Sequence, residues 1–247
     1  MIPVRLEPSG KSTMINQLLF GDQVTVLEEI PNWVKISSIH DNYEGWCETD
    51  QLNFTQQEAE ITEIKLVDDI TATFSSKNSQ LIIPFSSTIP LSNGTLNINN
   101  ELYKLTTGKL TDVKELTGEN IVSFASFLIN SPYLWGGRSP FGIDCSGLNQ
   151  IVFKMVGYPL PRDAWQQAEH KGEFIDLIDQ AKSGDVAFFD NEEGRIIHTG
   201  ILTGDGYIIH ANGRVRIDHV DHYGIFNQEK RSYSHKLRFI KRFGTIN

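Results

Sequence analysis

Through the first 118 residues the apolar positions come in short runs of period two, broken by turn signals. Val24, Val26 and Leu27 follow Gly21-Asp22, Val34 and Ile36 alternate after Trp33, and Gly45-Trp46 closes the segment. Such alternation predicts half-buried strands over residues 1–52. The pattern continues from about residue 60, with Ile61 and Ile64, then Leu81-Ile82-Ile83, then Leu96 and Ile98 after Asn93-Gly94. Pro84 and Pro90 forbid a long helix there. Two small β units fit these runs better than one large sandwich.

The period changes near residue 119. Ile121, Phe124, Ala125 and Leu128 stand at helical spacing, so a helix is predicted over Asn120 to Leu128, stopping before Pro132. A second helix is predicted to start at Asp144-Cys145. Its apolar stripe is Leu148, Ile151, Val152, Met155 and Val156, and Gly157 ends it. After residue 184 the chain reads as strands: Val186–Phe189, Thr199–Leu202, Tyr207–Ile209, Val215–Val220 and Leu237–Phe243. Helices first and strands afterwards imply an α+β domain. The expected domains are residues 1–54, 55–118 and 119–247.

Composition narrows the classes. With 247 residues, 39% apolar and 21% charged, the chain is too apolar for a disordered tail, and it has no long charge-free apolar run to span a membrane. Its net charge of −9 argues against generic nucleic-acid binding, which needs a basic face. The acidity is uneven. Residues 1–118 hold 8 Lys and Arg against 16 Asp and Glu, whereas residues 119–247 hold 14 against 15. Two cysteines, Cys47 and Cys145, cannot build a disulfide framework. Met1–Pro8 lacks a basic start and an apolar core, so the cytoplasm is the expected location; the periplasm or envelope is the alternative if a leader has been removed.

Cys145 is the first candidate for chemistry. A thiol at a helix start feels the positive end of the helix dipole, which is expected to lower its pKa and favour the thiolate. The other reading is a buried structural cysteine, and position alone does not choose. Among the seven histidines, His198 and His210 lie on two predicted strands joined by Thr203-Gly204-Asp205-Gly206-Tyr207. If Thr203 pairs with Tyr207, paired residue numbers sum to 410 and the two imidazoles are diagonal neighbours on one sheet face. One would take the thiol proton while the other fixes its tautomer. A register slip of one residue would separate them. No CxxC or HExxH spacing supports zinc, and no cofactor is expected.

The residues then become familiar. Tyr133-Leu134-Trp135-Gly136-Gly137, Phe141-Gly142-Ile143-Asp144-Cys145-Ser146-Gly147, His198-Thr199-Gly200 and His210-Ala211 resemble the NlpC/p60 family of bacterial peptidoglycan cysteine peptidases, in the family's order and spacing. The first segment is similar to a bacterial SH3-type domain through Arg5-Leu6-Glu7-Pro8-Ser9, Gly21-Asp22-Gln23-Val24, Trp33-Val34-Lys35-Ile36 and Gly45-Trp46; the second β unit matches one only weakly. The resemblance implies an α+β architecture: a papain-like C-terminal peptidase domain after two small SH3-like β-barrels.

By the same resemblance Cys145 is the nucleophile, His198 the general base and then acid, and His210 the orienting third member. Tyr133 stands beside the oxyanion site, or simply packs at the entrance to the first helix. Asp144 and Ser146 contact the substrate or only cap the helix. Asp163 is placed to meet a substrate ammonium, with Glu7 and Tyr43 as further candidates or as ordinary loop residues. Two departures stand out. Thr199 replaces the usual Val, a nearly isosteric change expected to spare the strand, and Ala164-Trp165 follows Arg162-Asp163 where a small hydroxyl residue is more common. The implied reaction cleaves the bond between γ-D-Glu and an L-diamino acid in free muropeptides beginning with L-Ala, carried out by a monomer. The alternatives are a secreted hydrolase of polymeric peptidoglycan and a non-catalytic peptidoglycan-binding module.

Overall fold

The computed structural model describes residues 1–53 and 61–244. The chain divides into two compact units, Met1–Val113 and Lys114–Asn247. The domain boundary expected at 54/55 falls on residues 54–60, outside the described residues.

The first unit holds two β modules. Strands β1 (Ile2–Arg5), β2 (Met14–Leu18), β3 (Val24–Ile30), β4 (Trp33–Ser38) and β5 (Glu44–Glu48) form one antiparallel sheet in the order β2-β1-β5-β4-β3. Alternation sends Val34, Ile36 and Cys47 inward against Val4 and Leu18, and this is the module's core. Cys47 is a packing residue: burial pushes its thiol up to about 12. Gly45 lies in this core because a Cβ there would come within 2.4 Å of Val4 Cγ1.

The second module comprises β6 (Glu63–Val67), β7 (Thr71–Ser75), β8 (Gln80–Pro84), β9 (Thr88–Leu91), β10 (Leu96–Ile98), β11 (Glu101–Thr107) and β12 (Leu110–Thr111). They make two sheets, β10-β11-β7-β8 and β12-β6-β9, around Val67, Ala72, Phe74, Ile83, Ile89 and Leu96. Asn93 and Gly94 both take positive φ in the turn joining β9 to β10, as their sequence demands. Of Ile61 and Ile64, only Ile64 falls on a strand. Ile61 precedes β6, both are exposed, and Leu66 and Val67 fill the core instead.

In the second unit, α1 (Gly118–Phe127) is capped by Thr117, whose side chain accepts the Asn120 N–H. A two-residue pair, β13 (Arg138–Ser139) and β14 (Gly142–Ile143), leads into α2 (Cys145–Met155). Helix α2 is buried almost all round, Asn149 and Gln150 included, so it is a core helix rather than a one-sided stripe. Helix α3 (Ala164–Glu169) and strand β15 (Glu173–Ile175) follow, neither anticipated from the pattern.

Strands β16 (Val186–Asp190), β17 (Ile196–Leu202), β18 (Tyr207–Asn212), β19 (Arg214–Asp221), β20 (Gly224–Asn227) and β21 (Ser232–Arg242) complete the fold. The sheet runs β15-β21-β16-β17-β18-β19-β20, and β20 also pairs with β21. That extra pairing closes six strands into a barrel. Strand β21 is long enough to serve both neighbours, its first half meeting β20 and its second half β16. Helix α2 packs against β17 and β18, which brings the start of the helix to the middle of the sheet.

Candidate active site

The run Gly142-Ile143-Asp144-Cys145 passes from strand to helix within one residue. Asp144 is extended and its Oδ1 accepts the Gly147 N–H at 2.7 Å, which makes Cys145 the first residue of α2. Gly147 permits a close backbone approach, since a Cβ there would lie 2.2 Å from the Gly137 carbonyl oxygen. Asp144 does more than cap. Its Oδ2 accepts the Gly136 N–H at 2.8 Å, and Arg162 forks onto both oxygens, Nη1 to Oδ1 at 3.0 Å and Nη2 to Oδ2 at 2.6 Å. Arg162 Nη1 also donates to Ser146 Oγ at 2.9 Å. Asp144 and Arg162 are 4% and 1% exposed, so a bidentate ion pair is buried directly under the nucleophile.

Asp144 thus caps α2, whereas Ser146, inside the helix, donates its hydroxyl to Asp144 Oδ1 at 3.3 Å. Arg162 itself was not singled out in the sequence, because an arginine in a Pro161-Arg162-Asp163 run reads as surface. Asp163 stands at the start of α3, half-buried, its N–H donated to Gln166 Oε1 at 2.9 Å.

The thiol departs from expectation. Burial dominates the helix dipole and pushes Cys145 up to about 12, with the charge of Asp144 acting in the same direction. The backbone N–H groups of Thr199 and Ser146 reach the sulfur and pull the other way, as does Arg162. Resting Cys145 is a protonated thiol, and it needs a base.

That base is close, because Thr199 follows His198 on β17. Ile201 pairs with Ile209 and Leu202 with Ile208, the register in which paired numbers sum to 410. Gly200 faces His210 so closely that a Cβ would meet His210 Cβ at 2.8 Å. The two histidines are thus diagonal neighbours, with His198 Nε2 2.8 Å from His210 Nδ1. Burial, and then His235 and His210, hold His198 well below the ordinary histidine value, so it is neutral and able to accept a proton.

Three further groups surround this pair, none of them anticipated. His210 Nε2 lies 3.0 Å from Asp218 Oδ2, and Asp218 is held by Arg216 through Nη2 at 2.9 Å and Nε at 2.8 Å. Burial opposes ionisation of Asp218, but the hydrogen bonds from His210 and Arg216 outweigh it and keep the carboxyl below its usual range. His235, on β21, stacks on His198 with ring centroids 4.0 Å apart and planes 22° from parallel.

Thr199 lies within an unbroken β17, and its hydroxyl adds contacts that a valine lacks. Its hydroxyl donates to the Ala187 carbonyl at 3.0 Å and accepts from Asn149 Nδ2 at 3.0 Å. Asn149 also donates to Gln167 Oε1 at 3.0 Å, so one buried polar chain ties α2, α3 and β17 together.

Tyr133 lies beside the nucleophile. Burial, then the charges of Cys145 and Asp144, push its phenol up to about 12, so it remains a hydrogen-bond donor. Glu7 and Tyr43 belong to the other unit. Glu7 is exposed between β1 and β2, its N–H donated to Ser12 Oγ at 3.0 Å, and Tyr43 is half-buried before β5, its N–H donated to Asp41 Oδ1 at 3.1 Å. Among the described residues, no group of three or more His, Cys, Asp and Glu side chains is disposed to hold a metal ion.

The profile of the NlpC/P60 family matches residues 130–233, and that of the bacterial SH3 domain matches residues 2–53. A gamma-D-glutamyl-L-lysine dipeptidyl-peptidase of Bacillus subtilis is 32% identical over 212 residues, 79% of this chain and 71% of the relative. Dipeptidyl-peptidase 6 of Lysinibacillus sphaericus is 26% identical, with 83% of each chain aligned. The crystal structure of an NlpC/P60 family protein from Bacillus cereus superposes with a TM-score of 0.80 at 25% identity, covering 93% of this chain and 82% of the other.

Proposed function

Because this chain belongs to the NlpC/P60 family and is a cysteine peptidase, we propose that it cleaves the bond between γ-D-Glu and an L-diamino acid in free muropeptides whose N-terminus is L-Ala. The observation that carries this reading is the thiol at the start of α2 beside a chain of two hydrogen-bonded imidazoles. The name of the Bacillus subtilis relative, a dipeptidyl-peptidase acting at gamma-D-glutamyl-L-lysine, supports the bond and the free dipeptide end.

In this mechanism His198 uses Nδ1, because Nε2 is taken by His210. As the Cys145 sulfur attacks the carbonyl carbon, its proton passes to His198 Nδ1. The developing oxyanion is met by the Cys145 N–H and the Tyr133 hydroxyl. His198 then returns the proton to the leaving amine of the diamino acid, and water releases the acyl group. The buried Asp144–Arg162 pair fixes the loop that presents the thiol. Asp163 is assigned to the substrate ammonium, which a carboxylate must pair when it leaves water.

Incubation with L-Ala-γ-D-Glu-L-Lys and with its N-acetylated form, followed by mass spectrometry, tests the substrate. Release of L-Ala-γ-D-Glu and lysine from the free peptide alone is the expected result. Equal turnover of both peptides would overturn it and assign the enzyme to polymeric wall.

A further inference from the structure

Three adjacent strands carry a line of hydrogen-bonding side chains on one face of the barrel. His198 on β17 and His210 on β18 are diagonal in the first register. In the second register, His210 pairs with Arg216 and Ile208 with Asp218, so Asp218 is diagonal to His210 as well. His210 is fully buried and Asp218 is 6% exposed, which leaves the two to satisfy each other.

We infer that Asp218 is a positioning residue that sets the proton direction along the whole line, from β19 through His210 to Nδ1 of His198. An ionised carboxylate only accepts, so His210 must carry its proton on Nε2 to make the 3.0 Å bond. In the neutral imidazole Nδ1 is then a lone pair, and for that form the 2.8 Å contact requires the proton of neutral His198 to lie on Nε2. That places the free lone pair of His198 on Nδ1, ready for the thiol proton. After transfer His198 carries protons on both nitrogens, and its Nε2–H still points at an acceptor. Arg216 supplies the counter-charge that keeps Asp218 an acceptor, 2.8 Å away. If the order reversed, Nδ1 of His198 would already be protonated and the thiol would have no base.

This inference rests on the peptidase reading, but its test needs no peptide. In the whole chain at pH 7, the imidazole 15N chemical shifts of His198 and His210 are expected to show the Nε2–H tautomer at both residues. Asp218→Ala and Asp218→Asn are expected to erase that preference and to slow alkylation of Cys145 by iodoacetamide about 10- to 100-fold, with Cys47 replaced by Ala in every protein compared. On peptide, kcat per folded enzyme, with the folded fraction taken from circular dichroism, is expected to fall by a similar factor while KM stays within about twofold. An Nδ1–H tautomer at His210 in the wild type overturns the inference. So do variants whose circular dichroism matches wild type and whose alkylation rate is unchanged. A wild type with the expected tautomers that cleaves neither peptide leaves the relay standing and overturns only the substrate.

Discussion

At the residue scale, His235 shows how a side chain without a step in the reaction can still govern it. It lies flat on His198, and burial lowers its own pKa to about 4, so it stacks as a neutral ring. An aromatic stack of this kind is worth roughly 0.5–1.5 kcal/mol. His235→Ala is therefore expected to lower kcat by up to about tenfold, the equivalent of that energy, and His235→Phe, which keeps the stacked face, to recover most of the loss. Steady-state kinetics on the free peptide checks both, and identical losses would remove the stacking account. His198 and His210 were legible in the sequence because the Gly204-Asp205-Gly206 turn fixes their register. Asp218 could have been found by the same count across the Asn212-Gly213-Arg214 turn. His235 could not. Strand β20 was not anticipated, and a register shift between Ile225 and Phe226 defeats any counting across it.

At the scale of elements, the nucleophile helix and the base strand are held by polar groups as much as by apolar ones. Thr199 joins Asn149 on α2 to the Ala187 carbonyl on β16, and Gln167 on α3 donates to the Ser146 carbonyl at 3.0 Å. Removing one buried hydroxyl from such a chain costs about 1–3 kcal/mol. Thr199→Val keeps the volume and the backbone N–H that reaches Cys145, so it is expected to lower stability by that amount with kcat nearly unchanged. Urea denaturation and steady-state kinetics separate the two, and a stable but inactive variant would contradict the assignment. Periodicity made α1, the start of α2 and most barrel strands visible, since each buries a regular apolar face. It missed α3, a six-residue helix held at its end by Lys241, whose Nζ donates to the Ala168 and His170 carbonyls at 2.6 and 2.8 Å. Such a helix comes from distant hydrogen bonds, and local pattern does not encode them.

At the scale of the whole molecule, burial of uncharged histidines sets the acid limit of stability. His198, His235 and His170 all have pKa values lowered in the folded state, each chiefly by burial. Between about pH 6.5 and 4 the unfolded chain binds protons that the folded chain refuses, so stability is full above 6.5 and declines as pH falls through that window. Replacing His235 by Phe removes one such group and is expected to flatten the decline. Urea midpoints measured from pH 7 to 4 check this, and parallel curves for the two proteins would discount His235. The division of charge seen in the sequence keeps its meaning at this scale too: the acidic excess lies in the first unit, while the second carries its charges in pairs such as Arg242–Asp185 and Arg162–Asp144. Barrel closure by β21 has one more consequence, and it concerns time. The ring that stacks on the base lies on β21, so His235 leaves the ribosome about 90 residues after Cys145. Pairings this distant in sequence form late. A nascent chain that has not yet released β21 holds the nucleophile and both imidazoles in an unclosed sheet, without the ring that stacks on the base.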